Sequence, residues 1–121
     1  MDKIQNSKPY DLGERTKKFA KRTREFVKYL SRSLADIEDG RQLIRSSGSV
    51  GANYIEAEEA LSKKDFAMRM KICRKEAKES RYWLELIQAE ERLIEEQQAL
   101  IKEATELTKI FGAIVTKTMN V

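Results

Sequence analysis

The sequence predicts an all-α protein folded as an antiparallel up-down-up-down four-helix bundle. Three observations carry this expectation. Apolar residues recur at spacings of three and four through most of the chain. The single proline, Pro9, lies near the N-terminus, so no proline interrupts a helix beyond it. Charged residues make up 36% of the 121 and apolar residues 40%, which suits a wet helical surface over one modest core. A chain of this length fits a single domain.

Residues 1–10 read as a flexible arm that ends at Pro9, and residues 11–121 as the bundle. The first helix is expected over 11–32. Asp11 can cap it, with Glu14 placed for a capping box. Leu12, Thr16, Phe19, Thr23, Phe26, Leu30 and Leu34 form its inner stripe. Lys17, Lys21, Arg24 and Lys28 form a second stripe on the wet side.

The second helix is expected over 36–61. Its centre, from Gln42 to Glu56, holds Gly48 and Gly51 among three serines. Glycine inside a helix costs about 1 kcal/mol against alanine. Two within four residues point to the close approach of another backbone. Helix one, helix three and a second copy are all eligible, and a kink at Gly48 is the alternative. Leucine at Gly48 or Gly51 is expected to cost about 1 to 3 kcal/mol by overpacking.

The third helix is expected over 63–88. Ser62 is a good cap, Asp65 sits in the first turn, and Leu61 can staple onto Phe66. Phe66, Met70, Cys73, Ala77, Ser80, Leu84 and Ile87 share one face. Met68, Ile72, Tyr82, Trp83 and Leu86 widen it beyond what one bundle needs. Tyr82 and Trp83 are therefore candidate oligomer contacts, with stacking on nucleic-acid bases as the alternative. One helix from 63 to 119 would be about 85 Å long, so a turn is expected at 89–92. The fourth helix then spans 93–119, on Leu93, Leu100, Ala104, Leu107, Phe111 and Ile114.

Composition also limits the chemistry. The chain has no histidine, which excludes the Glu-x-x-His metal motif of di-iron bundles and histidine-activated nucleophiles. Ser47-Gly-Ser-Val-Gly51 lacks the first glycine of a nucleophile elbow and the lysine of a phosphate-binding loop. Cys73 falls on an inner stripe and reads as a buried structural thiol. No catalytic, cofactor-binding or metal-binding residue is expected, and no enzymatic activity. No apolar run reaches the length of a membrane span. With no signal peptide and one cysteine, a cytoplasmic location is the expectation. Glu56 is expected to pair with helix one or three, Arg15 being one candidate.

Net charge is +4 but unevenly placed. Residues 1–33 hold 10 Lys/Arg against 4 Asp/Glu, 34–62 hold 2 against 6, 63–81 hold 8 against 3, and 82–121 hold 4 against 7. Alternating segments can serve attraction between neighbouring helices, or a basic face for nucleic acid.

Five motifs together resemble one bacterial family. They are Arg15-Thr-x-x-Phe-Ala, Gln42-Leu-Ile-Arg-Ser, Ser49-Val-Gly-Ala-Asn-Tyr-Ile-Glu-Ala, Ser62-Lys-Lys-Asp-Phe and Lys75-Glu-Ala-Lys-Glu-Ser-x-Tyr-Trp-Leu. The chain is similar, over about residues 10 to 119, to the proteins encoded in intervening sequences of 23S ribosomal RNA genes. The resemblance implies an up-down bundle and a ring-like homopentamer. It implies a structural signature at Arg45, Ser46, Ser49, Ala52, Asn53 and Glu56. The accessory variability determinant of diversity-generating retroelements is a more distant relative, and binds nucleic acid through a basic surface. The functional expectation is a non-enzymatic oligomer that binds structured RNA or DNA. Lys17, Lys21, Arg24 and Lys28 on helix one, and Lys71, Arg74, Lys75 and Lys78 on helix three, would make the contacts. The alternative is a scaffold for a protein partner such as a polymerase or ribosome-associated factor.

Overall fold

Four helices hold most of the chain: α1 (Leu12–Lys28), α2 (Leu34–Glu58), α3 (Lys63–Leu86) and α4 (Ile94–Met119). The computed structural model describes residues 11–120; the arm expected over 1–10, and Val121, lie outside them. The turn between α3 and α4 ends in a short 3-10 segment, Glu91–Leu93. No strand occurs among the described residues. The helices form the antiparallel four-helix bundle that the periodicity predicted. α2 packs along α1 and α3, α3 packs along α4, and α1 touches α4 only slightly.

Side-chain caps fix three of the four helix starts. Asp11 accepts from the Glu14 N–H at 3.2 Å, Ser33 from Asp36 at 3.1 Å, and Ser62 from Asp65 at 3.0 Å. Each satisfies a first-turn donor that has no partner within its helix. Ser33 rather than Asp36 opens α2, two residues earlier than expected. α1 stops four residues short of 32, because the chain turns into a serine cluster. There Ser31 Oγ donates to Asp36 Oδ2 at 2.6 Å. Leu34 consequently leaves the α1 stripe and is 85% exposed. Leu61 is 97% exposed, so the staple onto Phe66 does not form.

The core runs through Phe19, Phe26, Leu43, Val50, Met70, Leu84, Leu100, Leu107 and Phe111, all buried. Gln97 is buried with them. Its amide donates to the carbonyls of Leu84 at 2.9 Å and Ile87 at 2.7 Å. The end of α3 is thus satisfied from α4, by a residue the apolar pattern does not mark.

The small-residue centre of α2 is helical throughout, without a break at Gly48. Its two glycines differ. A Cβ on Gly51 would stand 3.0 Å from Thr16 Oγ1 and 3.4 Å from Thr16 Cβ, so α1 lies directly against it. A Cβ on Gly48 would meet only the mobile Arg24 guanidinium at 3.3 Å. The glycine edge of α2 therefore receives α1, and its serine edge receives α3. One hydroxyl of the α1 stripe is unanswered: Thr23 Oγ1 is buried with no hydrogen-bond partner among the described residues.

Candidate nucleic-acid interface

α1 sorts its cations onto two sides. Toward α4, Arg15 forks onto Glu103 at 2.7 and 2.9 Å, and Arg22 forks onto Glu96 at 3.1 Å through both contacts. On the outer side Lys17, Lys21, Arg24 and Lys28 are exposed. Lys17 and Lys21 make no salt bridge among the described residues. Arg24 donates to the Ala20 carbonyl at 3.3 Å, and Lys28 reaches Glu25 at 3.2 Å in an exposed pair. Such a pair is weak and easily exchanged for another anion.

α3 presents the second basic face. Lys71, Lys75 and Lys78 are exposed, while Arg74 is partly buried and runs along α4 beside Gly112. Spacings of three and four put all four residues on one side of the helix. α1 and α3 do not lie side by side. The eight candidate contacts therefore form two separate faces.

Between α1 and α2 runs a groove of about 480 Å³. Gly13, Ala20, Gly48, Gly51, Ala52 and Ile55 give it a mostly apolar floor, with Lys17 and Arg24 on its rim.

The signature residues fall on α2, most of them at the α3 seam. Arg45 bridges to Glu76 at 3.4 Å and to Glu79, and the Trp83 indole N–H donates to Glu79 at 2.9 Å. Burial works against the Glu79 carboxylate. The Trp83 and Arg45 donors outweigh it and hold its pKa below the ordinary value. The Arg45 guanidinium is correspondingly raised, chiefly by its hydrogen bond to Glu79. The Ser46 and Ser80 hydroxyls, both buried, hydrogen-bond at 2.9 Å. Asn53 donates to the Ser49 carbonyl at 2.9 Å and accepts from Arg69 at 3.0 Å. Ala52 and Glu56 face solvent. Arg15, the candidate partner of Glu56, is taken by Glu103 instead. The helix faces could not be paired before their register was known, so Glu76, Glu79, Arg69 and Gln97 were not visible as partners.

Trp83 is half-buried and belongs to this seam, whereas Tyr82 is exposed and meets it edge-on at 5.1 Å. Burial pushes the Cys73 thiol up to about 12, which keeps it protonated and unreactive at neutral pH. No His/Cys/Asp/Glu group suited to a metal occurs among the described residues. None of the described helices is long and apolar enough to cross a membrane.

These features define a class: a small antiparallel helical bundle with a polar α2–α3 seam and outward-facing cations. Within that class, the chain belongs to the 23S rRNA-intervening sequence protein family, whose model matches residues 9–113. It is also similar to a crystallised protein of unknown function from the S23 ribosomal protein family of Bacteroides thetaiotaomicron VPI-5482. The two share 30% identity with a TM-score of 0.75, over 86% of this chain and 97% of that one. No curated protein matches.

Proposed function

We propose that the protein is a non-enzymatic, self-associating bundle of the cytoplasm that binds nucleic acid through its basic faces. The division of cations on α1 is the observation that carries this reading. Arg15 and Arg22 are consumed in bridges to α4, whereas Lys17 and Lys21 are not, and the same holds for Lys71, Lys75 and Lys78 on α3. If mutual attraction between helices were the whole reason for the basic segments, these lysines would be bridged to acids on the neighbouring helices, as Arg15 and Arg22 are. A ring of five copies would repeat each weak face and raise affinity by avidity.

The test is an anisotropy titration with a labelled RNA hairpin. A face that neutralises about four phosphates loses roughly a hundredfold in affinity between about 50 and about 200 mM salt. Glutamine at Lys17 and Lys21 should flatten that slope. No binding at low salt would end this reading. Light scattering of the purified protein tests the pentamer, and a monomer at all concentrations would refute it.

One observation favours a protein partner instead. Met68, Tyr82 and Leu86 are exposed along the outer side of α3. A complex that survives nuclease treatment, and is lost on changing Tyr82 and Leu86 to serine, would support that scaffold reading.

A further inference from the structure

At the turn between α1 and α2 the structure has a second cleft, of about 420 Å³. Val27, Leu30, Ile37 and Ile44 line it with aliphatic surface, and Lys28, Arg32 and Arg41 surround them. Ile37, Arg41 and Ile44 follow the i, i+4, i+7 spacing, so one side of α2 supplies both floor and charge. The serine turn that ends α1 brings Arg32 to the opposite lip.

Two facts leave this cleft open to an anion. Arg32 and Arg41 make no hydrogen bond or ion pair with any described residue, unlike Arg15, Arg22, Arg45, Arg81 and Arg92. Asp36, the one carboxylate in the lining, already accepts from the Ser31 hydroxyl at 2.6 Å. Lys28 is held by Glu25 at 3.2 Å, so the positive excess of the lining over Asp36 rests on Arg32 and Arg41.

We propose that this cleft binds a single unpaired nucleotide, its phosphate on Arg32 and Arg41 and its base against the aliphatic floor. A guanidinium offers two parallel donors that match a phosphate, which a lysine cannot do. A simple anion would use the arginines but not the apolar floor. A base within a duplex keeps its faces stacked, whereas an unpaired one can lie on an apolar surface. The inference rests on the nucleic-acid reading above. It adds to it a preference for unpaired nucleotides, in a cleft that meets the α1 basic face only at Lys28.

The test compares a labelled single-stranded RNA oligonucleotide with a hairpin stem, for the full chain and three variants. Changing both Arg32 and Arg41 to alanine should weaken single-strand binding by about tenfold and stem binding by less than about twofold. Changing both to lysine keeps the charge, and should still lower single-strand affinity more than stem affinity. Ile37→Ser, at a half-exposed floor position, should do the same with the arginines intact. Competition with a nucleoside monophosphate and with inorganic phosphate separates the sources. A free nucleotide that competes as well as the oligonucleotide assigns the cleft to mononucleotides. Phosphate competing equally would refute a role for the floor. Equal loss on strand and stem, or no loss, would overturn the cleft while leaving the lysine faces standing. Absence of all wild-type binding would remove both. Stronger competition by an acidic, aliphatic-rich peptide than by RNA would assign the cleft to a protein ligand and refute this proposal.

Discussion

The α2–α3 seam and the α1–α4 seam hold the same bundle together by different means. Between α2 and α3 the backbones lie close, over paired serines and a buried stretch that includes Leu43, Val50, Cys73 and Ala77. Polar groups there answer one another at short range, in dry or half-dry surroundings. Between α1 and α4 contact is slight, and two arginine–glutamate forks reach across it. The first seam depends on shape. The second adds two charge bridges to the apolar stripe of α1, and charge at a surface is screened by salt. The bridges are thus the part of the attachment of α1 that salt weakens.

Mutations can test that contrast, and the largest effect belongs to the shape-dependent seam. Ser46→Leu should cost about 3 kcal/mol, because it overpacks a fully buried site and leaves Ser80 without its hydroxyl partner. Urea unfolding measures it, and a change below about 1 kcal/mol would mean that the seam has slack. Gly51→Leu should cost about 2 kcal/mol through its collision with Thr16, and Gly48→Leu distinctly less, since only a guanidinium must move. Equal costs would show that α1 is not seated on Gly51.

Thr23→Val should stabilise by about 1 kcal/mol, because it replaces an unpartnered buried hydroxyl by a methyl of similar size. A loss of stability would reveal a partner for that oxygen. Glu103→Gln should cost about 1 kcal/mol or less, and the difference from wild type should shrink at high salt. A salt-independent loss would mean that the α1–α4 seam is not electrostatic.

The smallest effect concerns acid. Glu79 has a lowered folded-state pKa, so its contribution is fully present above the ordinary value of 4.5 and is lost as pH falls through the lowered one. Glu79→Gln should therefore reduce stability at neutral pH and flatten the acid limb of the stability curve. Parallel curves for mutant and wild type would remove Glu79 from the seam.

Much of this was legible beforehand. The caps at Asp11 and Ser62 followed from local signals, which act within a few residues, whereas the α3–α4 turn followed only from the length an unbroken helix would have. Helix ends were less legible: nothing in the α1 stripe marks Lys28 as the last residue, and Ser31 reveals its role only once Asp36 has folded back toward it. The eight basic candidates could be named, but not divided into two faces.

By itself the sequence determined the elements, because periodicity and capping are properties of one helix at a time. Which edge of α2 meets which neighbour was decided only in the tertiary structure. Register and side choice depend on contacts between distant segments, such as Gly51 on Thr16 and Ser46 on Ser80. The same packing decided which arginines are spent on glutamates and which are left facing water.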